Sequence, residues 1–275
     1  MDPDRYCIDQ AAPPGSSLHY ATLHAGARQR GAIVAIHALR HALVDIIESI
    51  ADANVRAPKL NWWSGEILHA RDGRPRHPVS VAIARHCGRG LWRRPEVLAL
   101  LSAVARASAE DGFASEAARD EFCEQVGGGA ARMCMAAAGG DAPHDIGAIG
   151  VALERAILAG TPSVRSGLRR IPISAPDPAT GIEHGGTDPE HIAAERARAH
   201  RTLADAVRVT PRRAEAVALV YRTLAHIHLA ALAAALRKPA GKAPATVSIS
   251  PIRKLWIAWR ASRGVEGAGP RGVAR

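Results

Sequence analysis

Arg28-Gln-Arg-Gly-Ala-Ile-Val-Ala-Ile-His-Ala-Leu-Arg-His-Ala-Leu-Val-Asp-Ile-Ile-Glu48 sets its apolar residues at helical intervals. Ile33, Ile36, Leu39, Leu43, Ile46, Ile47 and Ile50 recur mostly three or four apart, the period of a helix with one buried stripe. The pattern predicts a helix over residues 28–53. Asp45, Glu48 and Asp52 fall three and then four apart, so on such a helix they share a face. Three carboxylates in an otherwise apolar run read as a metal site, the remnant of one, or the wet side of the helix.

The same character extends in both directions. Ala, Leu, Arg and Glu, all strong helix formers, dominate the chain. No period-two alternation lasts more than a few residues, so the fold class is all-α. Residues 1–15 read as a flexible lead ending in Pro13-Pro14-Gly15, and Ser16 or Ser17 caps a helix over 18–25. Further helices are expected over 59–70, from Pro78, over 95–108, from Ser115 or Ala117 to Ala138, over 146–158, from Pro189, over 214–236, and from Pro251. The triple Gly127-Gly128-Gly129 inside one of them costs about 1 kcal/mol per glycine relative to Ala. It is tolerable where another backbone packs against it or the helix kinks. Residues 160–182 read as a Gly/Pro/Ser/Arg-rich loop. A single domain over 16–263 is expected, followed by a disordered tail over 264–275.

The 275 residues carry a formal net charge of +10, which favours anionic partners. The arginines are dispersed, which argues against nucleic acid. Cys7, Cys87, Cys123 and Cys134 form no CxxC pair and read as buried thiols of a reducing compartment. The opening Met-Asp-Pro-Asp-Arg is acidic and argues against a secretory signal or a presequence. The apolar run over 225–236 is shorter than the ~20 residues that span a bilayer. A cytoplasmic protein, at most peripheral at the inner membrane, is the expectation.

Several stretches together resemble the squalene/phytoene synthase family. Pro14-Gly-Ser-Ser-Leu-His-Tyr-Ala-Thr-Leu23 is similar to its opening Ser-Phe-x-Tyr-Ala segment. The 28–48 stretch resembles the helix with an Arg and then Asp-Asp-x-x-Asp. Lys59-Leu-Asn-Trp-Trp-Ser-Gly-Glu-Ile-Leu68, then Gly73-Arg-Pro-Arg-His-Pro-Val79, resembles Leu-x-Trp-Trp-x-x-Glu-Leu and Gly-x-Pro-x-His-Pro-Val. Phe122 to Ala131, Gly150 to Glu154 and Ser250 to Trp256 resemble later family segments in order. The resemblance implies an isoprenoid synthase-type helical bundle around a central cavity. It also implies a head-to-head trans-isoprenyl diphosphate synthase, in which Mg²⁺ ions hold two prenyl diphosphates against two aspartate-rich motifs. The metals neutralise the leaving diphosphates, and an apolar cavity shields the carbocation. Its ligand pocket falls on Ser17, Tyr20, His37, His41, Glu154 and Arg165.

Set against the family motifs, His41 stands at the Arg position and Val44 at the first Asp. Asp45 is retained and Glu48 replaces the last. Val cannot ligate Mg²⁺. Asp52 is the nearest substitute. In the second motif Thr161 and Arg165 fall where carboxylates are expected. Leu158-Ala-Gly-Thr-Pro162, then Arg169-Arg170-Ile-Pro172, is similar to the family's non-catalytic branch, which includes assembly factors of respiratory complex I. The resemblance thus implies a divergent bacterial member, a pseudoenzyme that binds a lipid or prenyl diphosphate or serves as an assembly or accessory protein. The alternative is an active, Mg²⁺-dependent prenyl transferase using Asp45, Glu48, Asp52 and a further acid, Asp111 or Glu154. Mg²⁺ is the cofactor in that case, and none is expected otherwise.

Other groups are read both ways. His37 and His41, four apart, make a possible chelating pair but lack the HExxH glutamate. One of Trp62 and Trp63 is expected in the core and the other at a helix seam. Arg165, Arg169 and Arg170 would hold an anionic head group or form a solvated loop. Arg253, Lys254, Trp256, Trp259, Arg260 and Arg263 make a basic-aromatic helix. It either docks on the bundle through its Trp residues, the preferred reading, or lies on an anionic bilayer.

Overall fold

The computed structural model describes residues 1–110, 112–140, 144–160, 189–210, 215–239 and 247–266. The loop expected over 160–182, with Arg165, Arg169 and Arg170, and also Asp111 and the tail after 266, lie outside them. Among the described residues there is no strand, and twelve α-helices follow in order. They are α1 Pro3–Ala11, α2 Ser17–Ala21, α3 Ala27–Ser49, α4 Ala53–Arg71, α5 Pro78–Cys87, α6 Pro95–Ala109, α7 Glu116–Cys123, α8 Gly129–Ala137, α9 His144–Gly160, α10 Pro189–Val209, α11 Ala216–Leu236 and α12 Pro251–Glu266. A short 3₁₀ turn, Arg89–Arg93, precedes α6, and a π-helical segment, Glu124–Gly128, joins α7 to α8.

Residues 28–48 form most of α3, which buries Ile33, Ile36, Leu39, Leu43, Ile46 and Ile47. It ends earlier than expected. Ile50 turns extended, and the Asp52 carboxylate accepts a hydrogen bond from the Asn54 N–H at 2.8 Å. Asp52 is thus the N-cap of α4, satisfying one of its orphan donors. The shared face of Asp45, Glu48 and Asp52 does not exist. The helix expected over 59–70 begins earlier, so Pro58, expected just before it, sits in the second turn of α4.

The lead over 1–15 is also corrected. Asp2 caps α1, Pro3 occupies its first turn, and Cys7 is buried. The helix packs on α3 and α5, with Asp4 meeting Arg85 and His86 at 2.8 Å each. Its one buried apolar residue is too faint a period to read from sequence.

Helices α3, α8, α9 and α11 contact one another around the molecule's centre, with α1 and α2 against one side and α10 backing α9 and α11. The run taken as 225–236 belongs to a 21-residue helix, α11, long and apolar enough to cross a membrane by composition. Here Val217, Val220, Leu224, Ile227 and Leu232 of α11 are buried inside the bundle.

Candidate functional site

The four central helices, with α1, α2 and the π segment, line a half-open cavity of about 210 Å³. Small-molecule pockets usually span roughly 300–1,000 Å³. Ala130, Leu153, Ile157 and Leu224 supply apolar wall. His37, Arg40, His41, Glu154, Tyr221 and His228 supply the titratable groups, and Ser16 and Ser17 stand at one edge.

Its depth is set by glycines. Gly127 in the π segment lies against Gly150 of α9, and a methyl on Gly127 would run into the Gly150 carbonyl and stand 2.6 Å from Glu154 Cβ. A methyl on Gly150 would be 2.8 Å from Ala131 Cβ. The absence of side chains lets the two backbones touch. Of the two conditions foreseen for the glycine triple, the packed backbone is met at Gly127; the chain there also runs as a π segment, a form common at functional sites.

That contact places Glu154 at the centre, with its side chain 2% exposed. Arg40 meets it in a two-pronged ion pair. Its Nε donates to Glu154 Oε2 at 2.8 Å, and its Nη2 donates to Oε1. Burial opposes the charge on Arg40, but the Glu154 carboxylate outweighs it and raises the guanidinium pKa further. Across the cavity the Tyr221 hydroxyl stands 3.2 Å from His37 Nε2. Burial, then the Arg40 charge, pushes His37 down to about 3. Burial, then Lys254 and Arg40, pushes His228 down to about 4. His41 is lowered by burial, against the pull of Asp45. The wall therefore presents neutral imidazoles and one internally matched pair of charges at pH 7.

The structure gathers four of the predicted site residues, Ser17, His37, His41 and Glu154, at this cavity. Tyr20 turns instead to the seam of α11 and α12, against Ile227, Ala231 and Ile249. Asp45 and Glu48 are exposed and line no part of the cavity. Asp45 takes a hydrogen bond from the Ser49 hydroxyl at 3.1 Å. Arg165 lies outside the described residues. Arg40 and Tyr221 were missed. Arg40 had a signal: it stands three residues after His37, on the same helical stripe, beside the position assigned to a cation. Tyr221 had none, since its partner is on α3. Of the tryptophan pair, Trp63 is buried, while Trp62 is half exposed rather than set in a seam. Helix α12 does pack on α2 and α11, but through Lys254, Ile257 and Ala258 rather than through Trp256 and Trp259, which are half exposed.

An all-α bundle around a largely apolar cavity with a buried charge pair fits the isoprenoid synthase class of fold, and comparison with known proteins agrees. The squalene/phytoene synthase sequence pattern matches residues 12–160, more than half the chain, which therefore belongs to that family. A crystal structure of a dehydrosqualene synthase in complex with ligand is similar over 96% of this chain and 97% of its own, with TM-score 0.69 and 14% identity. The squalene synthase HpnC from Alicyclobacillus acidocaldarius is similar over 86% of this chain and 93% of its own, with TM-score 0.63 and 17% identity. At those identities the likeness is one of fold. No curated protein matches.

The family implies Mg²⁺, which takes oxygen ligands in near-octahedral geometry. Among the described residues the cavity offers one carboxylate, and Arg40 engages both its oxygens. No group of three or more His, Cys, Asp or Glu side chains converges to hold a metal there or elsewhere in the described chain. These residues do not fit the ion.

Proposed function

We propose that this protein is a non-catalytic member of the squalene/phytoene synthase family, holding a lipid or prenyl ligand as an accessory or assembly protein. The observation that carries the reading is the Arg40–Glu154 pair. A synthase must neutralise a departing diphosphate; here the central cation and the central carboxylate neutralise each other. The neutral histidines add no charge. The cavity suits an apolar chain with a small, uncharged, hydrogen-bonding head.

The test incubates the protein with farnesyl or geranylgeranyl diphosphate and Mg²⁺, following released diphosphate and the melting temperature. The expected result is no release, with farnesol raising the melting temperature; a ligand at 100 times its Kd stabilises by about 2.7 kcal/mol. Mg²⁺-dependent release of diphosphate above a protein-free control would overturn the reading.

A further inference from the structure

Helix α12 buries little of its apolar surface. Its inner face consists of Lys254, Ala258 and the partly buried Ile257, which packs with Ile227, Ala231 and Ile249. Lys254 Nζ donates to the Gly15 carbonyl at 2.9 Å, tying the helix to the turn before α2. The other large apolar residues face water: Ile252 is 80% exposed, Leu255 46%, Trp256 51% and Trp259 45%. At 100° per residue these four fall within one sector of the helix. Soluble helices bury such a stripe.

Charge lies beside it. Arg253, Arg260 and Arg263 are exposed, and residues 251–263 contain no acid. The Arg260 guanidinium stands 5.3 Å from the centre of the Trp256 ring, and that of Arg263 4.3 Å from Trp259. An exposed stripe of Trp, Leu and Ile edged by arginine is the make-up of a helix lying in the interface of a bilayer. There indoles sit at head-group depth and guanidiniums reach phosphates.

We propose that the outer face of α12 docks the protein on the surface of an anionic lipid bilayer. The three arginines and the overall +10 charge match an anionic membrane. Gly15 precedes Ser16 and Ser17 at the edge of the cavity, so Lys254 fixes α12 to that edge with its apolar stripe turned the other way. The surface stands on its own observations, whatever the cavity holds.

Co-sedimentation of the full chain with vesicles tests this, using phosphatidylcholine alone and phosphatidylcholine mixed with phosphatidylglycerol. Binding to the mixed vesicles is expected, weaker by about tenfold or more on phosphatidylcholine. Arg253→Gln/Arg260→Gln should erase most of that preference. Trp256→Ser/Trp259→Ser should lower binding to the mixed vesicles by about tenfold or more with the melting temperature unchanged. Failure of the wild type to bind either vesicle overturns the proposal. So does binding indifferent to the Trp substitutions. A wild-type dimer that becomes monomeric in the Trp variant, without vesicle binding, also overturns it by making the face a protein interface.

Discussion

Arg40 and Glu154 are 114 residues apart in sequence and share two hydrogen bonds. Removing one partner of such a buried pair leaves an uncompensated charge, which costs about 3–5 kcal/mol. Arg40→Ala should therefore be strongly destabilised in urea unfolding, whereas Arg40→Met/Glu154→Leu should recover most of the loss. A double variant as unstable as the single would deny that charge isolation is the cause. The histidines carry a second expectation. Folded His37 and His228 titrate near 3 and 4, below the ~6.5 of an unfolded chain. Between those values the unfolded state binds more protons, so stability rises with pH. The contribution is whole above about pH 6.5 and is lost as pH falls toward 4, by roughly 1 kcal/mol per unit for each residue. Urea midpoints at pH 7 and 5 should show it, with roughly half the pair's slope gone in His37→Gln.

Among the elements, the continuous helix expected through the glycine triple is divided by the π segment, and its three glycines are not equivalent. Gly127 meets the backbone of α9, while the nearest atom to a methyl on Gly129 is Glu96 Cβ at 3.7 Å. Gly127→Ala should cost about 1–3 kcal/mol by overpacking. Gly129→Ala should be neutral or stabilising by up to about 1 kcal/mol, because Ala is the better helix former. Thermal or urea unfolding of the two variants checks this, and equal effects would refute the assigned contact. Most helices were legible because their apolar periods and Pro or Ser starts are local. The breaks at Ile50 and Glu124 were not, since a cap and a neighbouring backbone decide them. α1 was missed because it buries one residue and depends on α3 and α5 for support.

At the scale of the molecule, two surfaces lie on either side of the contact between α2 and α12. The inner one is the cavity, and the outer one is the solvent-facing stripe of α12. Lys254 joins them through Gly15. A positive molecule meeting an anionic bilayer is attracted over roughly 10 Å at 0.1 M salt. The vesicle binding expected of α12 should therefore weaken as salt rises, while a part carried by Trp256 and Trp259 remains. Loss of all binding in the Trp variant at every salt concentration would leave the arginines no independent share.

The sequence by itself determined the all-α class, most helix positions, the family and the presence of His37, His41 and Glu154 at the cavity, because helical period and ordered motifs are local properties. Tertiary structure alone decided that Asp52 is a cap, that Glu154 is held by Arg40, that Tyr20 leaves the pocket, and that α12 turns its tryptophans outward. Each of those depends on what a neighbouring helix places opposite the residue, and burial and charge pairing are settled only when distant segments meet.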